Sequence, residues 1–474
     1  MITTDQPTRR KRPLSVFMLV MINVIAIDSL RNLSTNAAFG LGVPFYYLLA
    51  TLFFMLPCAW IIAELATHHP KTGGAYVWVE RAFGPPWGFV TIWLQWIYNV
   101  FWYPTILSFI AANIAYLFNP ELANSVSFML PMTLGLFLIS TVSNSFGMRL
   151  SGEVSTVCAI VGSILPMLFI TVLGIMWIAY GKPLAITPTL HHFFPALGET
   201  GHAAFLVVIL FSLFGLEMSA VHAGDVEHPT RNYPRALLYS SLLIILTLTL
   251  ASTAIAMVVP HNTLNIITGL DQALSQFLDA FGLRFLLPIA LIAMVFGGFG
   301  NMSAWVIGPP RGMAVAAQEG YAPASWGKLS KTGIPITLLW IQAGLVIVIS
   351  SLFLLLPSLS TAYWVLSNLT AELALLFYVF LFAAAWRLRY HNPAPVPAHA
   401  YRIPGGNGVI GFVCCLGLSA CLFGIAISFM PPDNIPLPST TWYESLLVGG
   451  MILFSLPPFL YYTWRKRKKM RALR

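Results

Sequence analysis

Twelve times along the chain a stretch of roughly 20 apolar residues recurs, enough as helix to cross a ~30 Å hydrocarbon core. The stretches cover residues 14–36, 43–67, 87–118, 126–146, 154–180, 203–222, 236–259, 285–308, 334–356, 363–386, 409–430 and 446–464. Lipid offers backbone N–H and C=O groups no partners, so such a chain must satisfy them inside each segment and folds as an all-α bundle in a bilayer. Composition agrees: 58% of the 474 residues are hydrophobic and 9% charged, against about a quarter charged in a soluble chain. The third and fifth stretches are long enough to tilt or to extend past the lipid.

The net charge of +9 could serve an acidic partner or nucleic acid, and its distribution decides. With the N-terminus inside, the basic tail "TRRKR", the even-numbered connections and the final "WRKRKKMRALR" fall on one side. They hold every Lys and Arg except Lys182, Arg284 and Arg31. That is the asymmetry of cytoplasmic flanks. It implies a multi-pass protein of a cell inner (plasma) membrane with both termini cytoplasmic, and no nucleic-acid face. All five cysteines lie within spans without a CxxC pair, so neither a disulfide framework nor a thiolate metal site is expected. The first span follows a basic patch but is succeeded by further spans, and reads as a retained signal-anchor. No connection is long enough to fold as a soluble domain.

Ionisable groups inside a membrane are costly and mark pathways or sites. Here they are Asp28 and Arg31 in span one, Glu217 in span six and Glu372 in span ten, with Glu64 near the cytoplasmic end of span two. Asp28 and Arg31, three apart, would pair on a continuous helix. They nevertheless sit in "IDSLRNLSTNAAFG", a polar run that interrupts the span. Span six has a similar interruption, Gly215 beside Glu217. Five crossings separate the two, so if spans one to five form a repeat and spans six to ten another, the second copy runs through the membrane upside down. Inverted repeats opened by broken helices are a secondary-transporter arrangement in which half-helix ends offer unpaired backbone groups to a substrate. N–H groups suit a carboxylate and carbonyls an ammonium, and an amino acid carries both.

Several stretches carry a resemblance: "AELATHHPKTGGAYVWVERAFGPPWGF" from Ala63, "GLEMSAVHAGDVEHPTRNYPRA" from Gly215, "SAWVIGPPRGMAVAAQEGYAPASWGKLSKTGIPITLLW" from Ser303, "YRIPGGNGVIG" from Tyr401 and "SFMPPDNI" from Ser428. In this order they resemble the amino acid/polyamine/organocation (APC) superfamily, and within it the bacterial glutamate/4-aminobutyrate antiporter branch. The resemblance implies a LeuT-like 5+5 inverted repeat of ten helices, discontinuous at helices 1 and 6, plus two peripheral helices. A basic tail over 1–13 would precede a transport core over 14–386, with repeats 14–180 and 203–386. Peripheral helices over 387–464 and a basic tail over 465–474 would follow. It also implies alternating access, with Phe211 closing over the substrate, Ser212 beside it, Phe214 and Gly215 in the unwound stretch, and Glu217 supporting the inner gate and proton sensitivity. On helix one, Ile27, Asp28 and Ser29 stand where the family shows a glycine-rich run.

Three departures bear on the cargo. Arg31 and Asn32 replace a tyrosine-glutamate pair, Asn301 replaces a glutamate, and the chain ends ten residues after Trp464, without that branch's long tail. Neither glutamate specificity nor a tail-gated pH switch is therefore expected. If Arg31 faces the cavity it favours an anion; if Asp28 neutralises it, as we expect, a neutral amino acid is favoured. Glu372, aliphatic in that branch, reads either as a proton-linked acid of the pathway or as a carboxyl held by helix neighbours such as Asn368 and Thr370.

Other chemistry finds no motif. His68-His69 and His191-His192 lack acidic partners at metal spacing and read as surface residues, and His222 as an interfacial hydrogen-bonding group. "GLEMS" and "GGFGN" lack phosphate-loop spacing, and "GGNG" at Gly405 is a turn. Trp93, Trp96 or Tyr103 lining the pathway is the lesser reading, helix packing the greater. No cofactor is expected. The expected function is secondary amino acid transport, by antiport of amino acids or amines, with proton-coupled symport or polyamine carriage as alternatives. An integral-membrane enzyme would need a second catalytic group beside Glu217 or Glu372.

Overall fold

The computed structural model describes residues 14–69, 73–146, 152–194, 200–260, 263–391, 400–431 and 435–472, with backbone alone at 152, 200–205, 221–225 and 469–472. The N-terminal basic tail, Lys71, Arg149 and the side chain of His222 lie outside the described residues. Helices dominate throughout: α1 (Val16–Ile27), α2 (Arg31–Ala37), α3 (Val43–Ala50), α4 (Leu56–His68), α5 (Ala75–Phe83), α6 (Pro85–Phe118), α7 (Val126–Ser145), α8 (Gly152–Ala159), α9 (Leu165–Ala179), α10 (Leu190–Phe193) and α11 (Thr200–Phe211) form the first part. The second comprises α12 (Pro229–Val258), α13 (Gly269–Ala280), α14 (Leu287–Val306), α15 (Gly308–Gln318), α16 (Ile336–Ser350), α17 (Leu352–Leu355), α18 (Leu359–His391), α19 (Gly406–Ser428), α20 (Thr440–Ser455) and α21 (Pro457–Ala472).

Ten stretches among the described residues are long and apolar enough to cross a bilayer, and α1 with α2, bent by 62°, makes an eleventh. Length and apolarity thus support ten or eleven crossings where the sequence reading expects twelve. The difference lies in the sixth span. Its apolar helix covers only Leu206–Ala220, because α11 ends at Phe211 and a 3₁₀ segment, Leu216–Asp225, takes over.

Both breaks have local causes. Asp28 and Ser29 bear short polar side chains that compete with helical backbone bonding. Asp28 N–H to Val24 O (2.8 Å) is the last α-type bond, and the chain then turns away with Ser29 N–H to Ile27 O (2.8 Å). At the other break Gly215 takes φ +125°, a conformation that L side chains rarely adopt. A Cβ there would lie 2.8 Å from the Trp305 ring and 3.0 Å from Ile27, so glycine also lets the two breaks touch.

One face of the bundle, here the lower, is marked by Leu14, which bridges to Val226, and by Arg465 of α21, which lies over Tyr321 beyond α15. On this face Glu64 of α4 forms a buried ion pair with Arg389 of α18 and accepts the Ile403 N–H at 2.8 Å. The Tyr401 N–H reaches Thr67 Oγ1 at 3.0 Å. The "YRIPGG" turn is thereby stitched to α4 and α18. α2, α13 and the end of α6 occupy the upper side.

"GGFGN" proves to be a packing seam of α14. Small residues let membrane helices approach closely, and Gly297 meets Gly162 of the π-turn Ile160–Ile164 so tightly that a Cβ on Gly297 would sit 1.9 Å from Gly162 O. Gly300 likewise faces Cys158. Because the obstacle at Gly297 is backbone, Gly297→Val should cost at least the ~1–3 kcal/mol typical of overpacking. The check is a clearly lowered unfolding midpoint in detergent; an unchanged midpoint would refute this seam.

Candidate functional site

α1 ends and α2 begins at a cavity lined by Ile27, Ser29, Arg31, Asn32, Phe211, Phe214 and Asn301, with Tyr98, Asn99 and Trp102 of α6 and Trp305 of α14. Its volume is about 30 Å³. That admits a few waters and falls far below the ~300 Å³ at which small-molecule sites begin. Arg31 takes up much of the space. Its guanidinium lies over Phe211, 4.9 Å from the ring centroid, and 5.7 Å from that of Tyr363. Nη1 donates to Tyr363 Oη (3.1 Å), Thr105 Oγ1 (3.2 Å) and Ser367 Oγ (3.4 Å), and Nη2 to Asn32 Oδ1 (2.5 Å). Its Nε has no partner.

The expected Asp28–Arg31 pair does not form. Asp28 turns to α12, where it accepts from Thr247 Oγ1 at 3.0 and 3.2 Å. The physical reason is the break itself: an i, i+3 contact presumes one continuous helix, and here a 62° bend intervenes. Among the described residues the ion pairs are Glu64–Arg389 and the exposed Asp279–Arg284, neither involving the cavity. Arg31 is thus a cation 3% exposed, held by neutral groups.

The broken backbone is repaired from α14. Asn301 Nδ2 donates to Ile25 O (2.7 Å) and Ala26 O (3.1 Å), and Trp305 Nε1 also to Ala26 O (2.9 Å). Asn301 therefore does two things, capping α1 and presenting a buried, unpartnered Oδ1. Ser212 turns away from the cavity to bond Tyr47 Oη (3.1 Å), which also receives Asn36 Nδ2 (2.6 Å).

Glu217 lies at the junction of two spaces. Tyr378 Oη donates to its Oε2 at 2.6 Å, while Gln95 Nε2 (3.3 Å) and Tyr98 Oη (3.4 Å) reach Oε1. Tyr378 Oη also accepts the Gly215 N–H at 2.8 Å. Tyr98 lines the small cavity; Gln95 and Glu217 line a second one, about 270 Å³, bounded by Gly73–Ala75, Met218, Arg311 and Gly333 towards the lower face. Glu217 and its tyrosines form the partition between them.

Glu372 is fully buried but lies elsewhere, accepting from Ser428 Oγ of α19 at 2.7 Å. Asn368 and Thr370 bond backbone carbonyls of α18 instead, so neither holds it. Trp93 and Trp96 likewise turn away from the small cavity, to Phe454 O and to the buried Gln342. Sequence reading missed Tyr98, Trp102 and Thr105, and Tyr363 and Ser367. A signal existed: each set recurs at i, i+3/i+4 spacing on one stripe of a mostly buried helix.

Comparison with known proteins places this geometry in context. The amino acid permease family matches residues 13–453. An uncharacterized transporter of Legionella pneumophila is 45% identical over 452 residues, 95% of this chain and 97% of that one. A glutamate/gamma-aminobutyrate antiporter of Lactococcus lactis is 26% identical over 460 residues, covering 95% and 90% of the two chains. A putrescine transporter of Escherichia coli is 25% identical over 442 residues, covering 87% and 92%. With a family match over nearly its whole length and a broken-helix membrane bundle to go with it, the chain belongs to the amino acid permease family of the APC superfamily.

Proposed function

We propose that this permease is an antiporter of amino acids that carry an anionic group, working by alternating access in a bacterial inner membrane with both termini cytoplasmic. The observation that carries the reading is Arg31. A buried cation without a counter-ion is costly, and neutral hydroxyls offset only part of that cost. A substrate carboxylate at the open Nε completes the site, and Asn301 Oδ1 is the acceptor for its ammonium. The same cation opposes polyamines, although a relative carries putrescine.

Transport in this reading is passage between the two cavities. Arg31 withdraws from Phe211 to admit the substrate, and Glu217 gives up its bonds to Tyr378 and Tyr98 to open the lower partition. The basic flanks support the orientation, since the lower face carries Arg311, Arg389 and Arg465. The Lactococcus antiporter's name supports exchange over net uptake.

Proteoliposomes preloaded with single unlabelled amino acids or amines, and given a labelled acidic amino acid outside, test the reading. Stoichiometric exchange supports it; net uptake driven only by a proton gradient makes the protein a symporter. In the same assay Arg31→Gln removes a charge-assisted hydrogen bond of about 1.5–3 kcal/mol. The half-saturating concentration for the acidic substrate should therefore rise roughly 10- to 100-fold, with neutral amino acids less affected. Equal loss for both would remove Arg31 from selection. Glu217→Gln should keep the fold but slow exchange or flatten its dependence on pH, and unchanged exchange at every pH would take Glu217 out of the mechanism.

A further inference from the structure

Asp271, in the first turn of α13, belongs to neither cavity. It is fully buried, and both carboxyl oxygens lack a hydrogen-bond partner. α13 docks on the first span just above Arg31: the Leu270 N–H donates to Ser34 Oγ of α2 at 2.8 Å, and Gly269 lies against the Ser34 side chain. Burial alone pushes the Asp271 carboxyl well above the ordinary carboxylate range.

We propose that Asp271 is a proton-binding site, occupied while α13 is docked on α2 and emptied to water on the upper side when α13 lifts away. The inference rests on the proposed function for alternating access alone, and adds to it that the upper side opens by α13 lifting away. An ionised carboxylate without a donor is costly in a dry site. The pull of the helix N-terminus on the anion is small by comparison and is not delivered here, since no α13 N–H reaches either oxygen. On undocking, the O–H bond breaks, its proton passes to water and the carboxylate becomes hydrated.

The surroundings supply no competing charge. Of the elements packed on α13, α9 and α14 have no charged residue, and α12 carries its arginines, Arg231 and Arg235, at its far end. Arg31 of α2 is bonded to Thr105, Tyr363 and Ser367. Arg284 pairs with Asp279 at the opposite end of α13, and Lys182, beyond α9, donates to Ala280 O there. On the α6 side the titratable groups are Tyr116 and, beyond it, Glu121.

The sign follows from linkage. The docked state holds a proton that the undocked state releases in the ordinary carboxylate range, so docking is favoured at low pH. The docked-to-undocked ratio falls by up to tenfold per pH unit between the two values.

Labelling of Ala273→Cys, two residues from Asp271 and itself buried, by a membrane-impermeant thiol reagent reads this in full-length protein carrying Cys415→Ser. We expect labelling to rise with pH faster than thiol ionisation alone when Asp271 is present, and to follow thiol ionisation alone in Asp271→Asn. Identical pH profiles would overturn the proposal. So would unfolding of Asp271→Asn, because the ionised form would then be what holds α13 in place. No substrate is needed, so a failed exchange assay and a failed labelling assay remain distinguishable.

Discussion

The α1 carbonyls of Ile25 and Ala26 are where this structure is held open. A helix interrupted in hydrocarbon leaves backbone acceptors that water cannot reach, each costing several kcal/mol if left bare. Asn301 and Trp305 supply the missing donors from one face of α14. The break can then persist, α2 can set off at 62°, and Arg31 can enter the space that a continuous helix would have filled. The bonds require α14 close to α1, and the close contact of Gly297 and Gly300 with the Gly162 and Cys158 segment packs α14 there.

Electrostatics divide the interior sharply. Asp28 and Arg31 diverge to separate neutral partners, Glu217 is enclosed by two tyrosines and a glutamine, and Glu372 faces α19. The buried ion pair Glu64–Arg389 sits at the lower face, where it fastens a turn. The Arg31 cation in the centre is thus left without a counter-ion among the described residues.

Much of this was legible in the sequence because it rests on local chemistry. Apolar length gave the crossings, "IDSLRN" and "FGLE" gave the breaks, and the isolation of Glu217 marked it as buried for a purpose. What stayed hidden depends on rotation about a non-helical segment. Residues 28 and 31 are neighbours on paper, and only the backbone path through Ser29 and Leu30 sends one to α12 and the other to α18. Span six yields no single long apolar helix for the same reason. The α6 and α18 walls were hidden differently: Tyr98, Trp102 and Tyr363 look like ordinary packing aromatics until Arg31 lies among them.

Tyr47 has a consequence for motion. Its hydroxyl joins Asn36, on the upper half of the first span, to Ser212, at the end of the upper half of the sixth. Two half-helices from opposite repeats are thereby riveted through a third, α3. Neither can hinge separately without breaking a buried bond, so a displacement of one half-helix carries the other with it.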